Sequence, residues 1–133
     1  MSRRKAREFA FKVLFQVDQV DADPHRAFRY LLQDNSLADK DRVFSWDLIM
    51  GCLAHLEQID SKISHYARDW SLNRMSAIDR NIIRVAGYEV MFYEQSEPVV
   101  AIDEALEIAK KYSDETSVAF INAILDKMLG ESR

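Results

Sequence analysis

The stretch SAIDRNIIRVAGYEVMFYE, residues 76–94, decides the fold. Its apolar residues cover most of the circumference of a helix, which is typical of a helix packed on several sides. The stretch is long for a strand and does not alternate between apolar and polar residues, so its length favours a helix. Ser76 predicts an N-cap, and Asp79 stands where an acid answers the positive end of the helix dipole. We therefore expect the rest of the chain to be arranged around a central helix.

The few polar residues of this stretch form two groups. Arg84 and Glu89 fit ion pairs at the helix surface. Asp79 and Arg80 stand at the open end of the helix, where a partner would reach them. The first group is therefore predicted to be structural and the second to be accessible.

The composition narrows the architecture. A chain of 133 residues suits one domain, or two half-sized bundles that share a core, and 48% of its residues are apolar. Three glycines and two prolines are too few for the turns that a sheet needs, so we predict an all-α fold of about seven helices. No membrane span or signal peptide is visible, which predicts a cytoplasmic protein.

Residue patterns that carry catalysis or metal binding are missing from the sequence. Cys52 is the single cysteine, and the three histidines have no partner at ligand spacing, so no metal site is expected. There is no glycine-rich phosphate loop, no H-E-x-x-H and no serine elbow. Asp103, Glu104 and Glu107 are acidic neighbours, but acids on a helix surface are usually solvated. We therefore expect neither an enzyme nor a cofactor.

The charge is unevenly distributed. The whole chain carries −4, whereas residues 2–12 carry +4, so the remainder carries −8. The charged residues of the basic segment are Arg3, Arg4, Lys5, Arg7, Glu8 and Lys12. A basic segment on an acidic body provides a local anchor for an anionic partner. Four cations in five positions at a helix start also oppose the helix dipole, and a binding role would account for that cost.

The first helix is predicted from about Ser2 to Val20. Opposite its apolar stripe, Arg4, Arg7, Phe11 and Phe15 share a second face. Guanidinium groups for phosphates and rings for stacking suit an RNA-binding surface. The alternative is that the helix is sandwiched and buries both rings in a second core, which we favour for Phe11 and leave open for Phe15.

The remaining helices are predicted from caps, prolines and periodicity. Their starts are expected at Pro24, near Asp39, after Asp60, at Pro98 and after Asp114. The third helix should reach about Ile59, so that Asp60 caps a short fourth helix. Trp70 fits a core plug better than a stacking platform.

The last helix carries an aromatic residue outside its apolar stripe. The stripe consists of Val118, Ile121, Ile124, Leu125 and Met128. Phe120 falls well outside it, and Asn122 lies on the opposite edge. The Phe120 ring either packs against another helix or stacks on a ligand, and periodicity leaves both alternatives open.

Three segments of the chain resemble the NusB family of bacterial transcription antitermination factors. They are RRKAREFAFKVLFQVD (3–18), WSLNRMSAIDRNIIRVAGYEVMF (70–92) and VVAIDEALEIAKKYSDETSVAFINAILDKML (99–129). Their order and spacing match the family over nearly the whole chain. The resemblance implies one all-α domain over residues 1–133, built from two roughly perpendicular bundles, about 1–70 and 71–133, that share the central helix.

The resemblance also implies a function. It implies binding to the boxA element of nascent transcripts, as in ribosomal RNA leaders. It implies a protein partner, the ribosomal small-subunit protein NusE, with which the factor helps to load an antitermination complex on RNA polymerase. It implies no catalysis. A homodimer that covers the RNA-binding face is a further expectation, because exposed rings favour self-association.

The family's functional positions can be transferred to this sequence. The RNA-binding positions fall on Arg3, Arg4, Lys5, Arg7, Phe15, Phe120 and Asn122. The protein-partner position falls on Asp79, beside Arg80. Phe15 stands where the family often has tyrosine, so stacking is retained and a hydroxyl hydrogen bond is lost. Thr116 stands where the family often has an acid.

Two other functions fit the same residues. NusB-like domains occur fused in front of ribosomal RNA methyltransferase domains, so an accessory RNA-binding domain is one alternative. A free-standing factor is expected instead, because the chain contains no glycine-rich cofactor motif. A helical module that binds only protein is the other alternative, and titration with short single-stranded RNA distinguishes it.

Overall fold

The computed structural model describes residues 2–68, 72 and 74–132. Within these residues the chain is all-α and forms seven helices, which confirms the predicted class. The helices are α1 (Ser2–Val20), α2 (Pro24–Asp34), α3 (Asp39–Ala54), α4 (Leu56–Ala67), α5 (Ala77–Met91), α6 (Pro98–Tyr112) and α7 (Glu115–Ser132). None of the described helices is both long and apolar enough to cross a membrane. Trp70, the predicted core plug, lies outside the described residues.

The α5 helix lies at the centre of the molecule. It contacts α1, α3, α4, α6 and α7, and every residue from Asp79 to Val90 is buried. Because apolar residues cover most of its circumference, α5 packs against other helices on several sides, as predicted. The arrangement of those elements as two perpendicular bundles stays a prediction.

Side-chain caps fix the start of two helices near the site described below. The Ser76 hydroxyl accepts a hydrogen bond from the Asp79 backbone N–H at 3.0 Å and begins α5. The Asp114 carboxylate accepts from the Ser117 backbone N–H at 2.8 Å and begins α7. Both predicted caps are confirmed, and each satisfies one N–H group that the helix itself leaves free.

The boundary between α3 and α4 differs from the prediction. A single residue, His55, separates the two helices, four residues before the expected end at Ile59. The His55 backbone N–H donates to the Gly51 carbonyl oxygen at 3.1 Å, and its ring stacks on Phe92 with centroids 4.2 Å apart. Asp60, the expected cap, lies inside α4. No proline or glycine stands at the break, so the apolar pattern runs through it.

Cys52 lies on the face of α3 that meets α5 and is fully buried. Its thiol donates a hydrogen bond to the Arg84 carbonyl oxygen at 3.4 Å. Burial raises the pKa of the Cys52 thiol to about 12. The side chain therefore acts as a small core residue and is not a reactive nucleophile.

Arg84 is ion-paired, but inside the molecule and not at the helix surface. Its guanidinium donates to both carboxylate oxygens of Asp60, at 2.8 and 2.9 Å, and to the Asn81 side chain at 3.1 Å. Only 7% of the Arg84 residue surface is exposed. The predicted surface location of Arg84 is therefore wrong, because a partner on α4 covers it.

Glu89 is likewise ion-paired within the core. Its two carboxylate oxygens accept hydrogen bonds from Arg7 Nε at 2.8 Å and Arg7 Nη2 at 2.7 Å. The Ser96 hydroxyl donates to the same carboxylate at 2.6 Å. Glu89 is 1% exposed and Arg7 is 7% exposed, so the predicted surface location of Glu89 is also wrong. A buried carboxylate needs such donors to offset its desolvation.

Asp18 joins the end of α1 to the start of α5. One of its oxygens accepts from Arg80 Nη2 at 2.6 Å and from Asn81 Nδ2 at 2.9 Å. Burial by itself would raise the pKa of Asp18. The hydrogen bonds from Arg80 and Asn81 and the charges of Arg80 and Arg84 outweigh it, so the pKa lies below its usual value.

We expect the stabilisation from Asp18 to be lost in acid. A carboxyl whose pKa is lowered by folding contributes stability above its unfolded pKa, about 4. That contribution disappears as the pH falls through the lower pKa of the folded state. Unfolding of Asp18→Asn and of the unsubstituted chain, followed by circular dichroism, should therefore differ most above pH 4 and converge below it. Asp126→Asn, at an exposed position of α7, is the control and should match the unsubstituted chain throughout. A difference for Asp18→Asn that did not depend on pH would contradict the assignment.

Candidate nucleic-acid interface

Three cations of the first helix turns lie at the surface, and we call them the N-terminal cation cluster: Arg3, Arg4 and Lys5. The Arg3 guanidinium lies over the Phe44 ring, 4.1 Å from its centroid, and 53% of the side chain is exposed. Lys5 is exposed, and its ammonium donates to a backbone carbonyl oxygen at 3.3 Å. These charges are accessible to a phosphate backbone.

Arg4 is accessible but already has a partner. Its Nε and Nη2 donate to the Glu104 carboxylate at 3.1 and 2.7 Å, and 42% of its side chain is exposed. Glu104 is one of the three acidic neighbours Asp103, Glu104 and Glu107, and this contact places it against α1. A phosphate that approaches Arg4 competes with this carboxylate for the same donors.

Arg7 does not belong to this cluster, although the helix pattern placed it beside Arg4. Its guanidinium is in the interior and makes the bidentate pair with Glu89 described above. Arg7 therefore lies in the interior and is not one of the exposed cations of α1.

A groove of about 290 Å³ follows the middle of α1, and we call it the Phe15 groove. It is lined by Phe11, Lys12, Phe15, Gln16, Leu31, Ile78 and Tyr112. Phe11 is buried, as favoured from the sequence, and its ring centroid lies 5.4 Å from that of Tyr112. Phe15 is half-buried, 6.3 Å from the Phe11 centroid. The groove thus has an aromatic wall and a cation at its edge.

Glu8 organises one side of this groove. Its carboxylate accepts hydrogen bonds from the Tyr112 hydroxyl at 2.7 Å and from the Lys111 ammonium at 3.0 Å. Burial would raise the pKa of Glu8, but these hydrogen bonds and the charges of Lys111 and Lys12 lower it overall. Sequence reasoning missed Tyr112. The basic-aromatic run KKY at 110–112 was the available signal, since it combines phosphate-binding and stacking residues.

A second cavity lies where α5 and α7 begin, and we call it the Phe120 pocket. Its volume is about 240 Å³, and it is lined by Arg74, Met75, Ser76, Asp79, Thr116, Ser117 and Phe120. The Phe120 ring is half-buried. The off-stripe phenylalanine therefore forms part of a cavity wall and is partly accessible to a ligand.

The groove and the pocket are neighbours. Ile78 lines the groove and Asp79 lines the pocket, while Tyr112 lines the groove and the adjacent Ser113 donates to Asp79 at 2.8 Å. The two predicted stacking rings, Phe15 and Phe120, thus flank the start of α5. Phe15 lies eleven positions after Arg4 on α1, a distance of about 16 Å along the helix axis. A short single strand can span that distance.

The remaining predicted site residues are less accessible. Asn122 is half-buried and is not among the described residues that line the pocket. Asp79 and Arg80 are 7% and 9% exposed, so their predicted exposure at an open helix end is wrong. Arg80 instead binds Asp18 and the carbonyl oxygens of Leu72 and Met75. The protein-partner role predicted for Asp79 and Arg80 stays a prediction.

Comparison with known proteins identifies the family. The family model described as NusB matches residues 4–130. The chain belongs to the NusB family. A relative from Syntrophomonas wolfei subsp. wolfei, called Transcription antitermination protein NusB, is 63% identical over 131 residues, which are 98% of each chain.

Solved NusB structures share the fold. A NusB structure from T. maritima is 40% identical and superposes with a TM-score of 0.89, over 98% of this chain and 92% of that chain. A structure of the antitermination factors NusB and NusE in complex with dsRNA is 27% identical, with the same TM-score, over 98% of this chain and 97% of that chain. The resemblance inferred from the sequence is therefore confirmed.

Proposed function

We propose that this chain is a transcription antitermination factor that binds boxA-type single-stranded RNA together with NusE. Membership of the NusB family supports the class of function. The observation that carries the RNA-binding part is that Phe15 and Phe120 flank the start of α5. The accessible cations of the N-terminal cation cluster lie on α1, the helix that also carries Phe15. Such a surface combines the two interactions that single-stranded RNA needs, charge for phosphates and rings for bases.

The N-terminal cation cluster supplies the electrostatic part of binding. Arg3, Arg4 and Lys5 neutralise phosphates and release condensed counterions, which makes the affinity dependent on salt. Lys12 and Lys111 extend the positive charge towards the Phe15 groove, where both ammonium groups lie near the Tyr112 ring. The backbone of the RNA is thereby held along α1 while its bases reach the groove and the pocket.

The Phe15 groove and the Phe120 pocket supply the stacking part of binding. Each ring is half-buried, so its edge is fixed by packing while part of its surface stays open to a base. Fixed rings lose little conformational entropy when a base stacks on them. Single-stranded RNA is expected to bind better than duplex RNA, because stacking on a side chain needs unpaired bases.

The wider role follows from the family. We propose that the chain acts with NusE in a complex with RNA polymerase that supports antiterminated transcription of ribosomal RNA genes. We further propose that it works in the cytoplasm and has no catalytic activity. A homodimer that covers the Phe15 groove stays a prediction, and sedimentation with and without RNA tests it: a dimer that RNA leaves intact would exclude this arrangement.

We expect the triple substitution Arg3→Ala, Arg4→Ala, Lys5→Ala to weaken boxA RNA binding and to flatten its salt dependence. Three lost phosphate contacts should reduce the slope of log K against log salt by about 2 for a single strand. The measurement is a mobility-shift series over salt concentration, with and without NusE. Addition of NusE should raise the affinity.

The control is Lys62→Ala, a cation of α4 that lines neither the groove nor the pocket. It should leave both affinity and slope unchanged. Equal slopes for the triple variant and the unsubstituted chain would contradict the anchor. Absence of RNA binding with and without NusE would instead support a module that binds only protein.

A further inference from the structure

We propose that the Phe120 pocket holds one unstacked nucleobase and that Asp79 reads the hydrogen-bond donors on its pairing edge, which selects guanine. This inference deepens the proposed RNA-binding function and rests on it. It gives Asp79 a role in RNA recognition, whereas the resemblance to the family implied a role in protein binding.

The size and lining of the pocket suit a single base. Its volume of about 240 Å³ lies below the roughly 300–1,000 Å³ of sites for drug-sized ligands. Phe120 and Met75 provide apolar surface for a planar ring, and Ser117 and Thr116 provide polar edges. Bases splayed out of single-stranded RNA are bound in this way, by stacking and by hydrogen bonds to their edges.

Asp79 offers a free acceptor inside this pocket. The residue is 7% exposed, and one carboxylate oxygen, Oδ1, accepts from Ser113 Oγ at 2.8 Å. Among the described residues no donor binds the other oxygen, Oδ2, and no buried side-chain oxygen of that part of the chain lacks a partner. Oδ2 is therefore reached by solvent, and Asp79 is one of the residues that line the open volume of the pocket. A mostly buried carboxylate with an oxygen that has no donor is suited to a specific donor from a ligand.

The pocket suits a base better than a phosphate. Helix N-termini attract anions, and both α5 and α7 begin at this cavity. Here Ser76 and Asp114 already cap them. The Asp79 carboxylate would also repel a phosphate. Arg74, which is exposed and lines the cavity, is suited to the phosphate next to the bound base.

The acceptor favours guanine among the bases. Guanine presents two donors side by side on its pairing edge, N1–H and N2–H₂, and a carboxylate only accepts. Oδ1 retains a second lone pair besides the one used by Ser113, so both oxygens can take part. Uracil presents one N3–H between two carbonyl oxygens, which a carboxylate repels. A bidentate contact of this kind typically makes the affinity for the matching base about tenfold or more higher than for a wrong base.

The test pairs one protein substitution with a scan of the RNA. Affinities of a boxA RNA, and of versions with each base in turn removed to leave an abasic nucleotide, are measured by fluorescence anisotropy in the presence of NusE. Asp79→Asn is expected to weaken binding of the intact RNA roughly tenfold. The loss should vanish for the RNA in which one particular guanine is missing. Replacing that guanine with inosine, which lacks the N2 amine, should weaken binding to the unsubstituted chain.

Two controls separate recognition from folding. Asp79→Asn keeps an oxygen that accepts from Ser113, and its thermal midpoint should match that of the unsubstituted chain. Glu115→Gln makes the same change of acid to amide on the exposed first turn of α7, outside the pocket lining. It should show no penalty at a single RNA position.

A second measurement does not depend on the Asp79 variant. Thienoguanosine, a fluorescent guanine analogue that keeps N1–H and the N2 amine, is placed at each guanine position in turn. At one position binding should change its fluorescence through stacking, and Phe120→Leu should reduce that change. An equal Asp79→Asn penalty for every RNA, coupling to a uracil, or unchanged fluorescence would overturn the pocket assignment while RNA binding itself stands. Failure of the unsubstituted chain to bind any single-stranded RNA would overturn the proposed function instead.

Discussion

Replacing Arg7 with alanine is expected to lower the free energy of unfolding by about 3–5 kcal/mol, the usual cost of leaving a buried charge without its partner. Glu89 is 1% exposed and, of the donors that the described residues supply to it, would retain only the Ser96 hydroxyl. The truncated side chain would also leave a cavity between α1 and α5. Denaturant unfolding followed by circular dichroism measures the change.

Two further variants make this result interpretable. Arg4→Ala removes an arginine from the same helix, but an exposed one, so it should change the unfolding midpoint very little. Arg7→Met combined with Glu89→Leu removes both charges and should recover most of the loss, since well-packed apolar residues replace buried ion pairs with little cost. If Arg7→Ala were as mild as Arg4→Ala, Arg7 would be available to RNA after all.

The second large effect is expected at Gly51, where substitution by alanine should destabilise the fold by about 1–3 kcal/mol through overpacking. A Cβ atom there would lie 2.1 Å from Cζ and 2.2 Å from the hydroxyl oxygen of Tyr88. The Tyr88 ring has little room to move, because His55 and Phe92 lie against it. Gly51 thus permits the close approach of α3 to α5.

The other two glycines are matched controls in the same thermal-unfolding series. Gly130→Ala should stabilise α7 by about 0.5–1 kcal/mol, because alanine favours a helix and the added carbon meets no crowding. Among the described residues, nothing beyond its chain neighbours and its own helix backbone lies within 4 Å of that carbon. Gly87→Ala should fall between the two, since its nearest neighbour is the flexible Met128 sulfur at 3.1 Å. Equal effects at all three positions would mean that Tyr88 does not constrain Gly51.

Local signals in the sequence predicted most of the fold. Caps at Ser76 and Asp114 and the run of apolar residues around α5 depend on neighbours within one or two helical turns, which a single sequence contains. The break at His55 escaped prediction because it depends on contact with Phe92 in another helix. Neither a proline nor a glycine stands at the break itself to interrupt the apolar pattern.

The buried ion pairs show where sequence reasoning stops. Arg7 and Glu89 are 82 residues apart in the chain, so no periodicity connects them. A charged residue on a helix looks solvated unless its partner is known, and for this reason Arg7 was expected at the RNA surface and Arg84 at the outside of α5. Burial of a charge is decided by tertiary contacts, which local patterns do not encode.

The candidate site was predicted in part. Phe120 stood out because it violated the stripe of its own helix, and the structure places it in a cavity wall. Phe15 could not be decided from periodicity, and the structure leaves it half-buried. Asp79 was expected at the surface because it occupies the first turn of a helix. Its enclosure depends on Ser113 and on the start of α7, far along the chain.

The enclosed sulfur atom of Cys52 has a practical use. Maleimide added to the folded protein should leave this cysteine unmodified, and it is the single cysteine of the chain. Ala119 is exposed on α7, next to Phe120, so Ala119→Cys would supply one selective attachment point for a dye without prior removal of the native residue. Such a labelled protein would report the arrival of a strand at the pocket in real time.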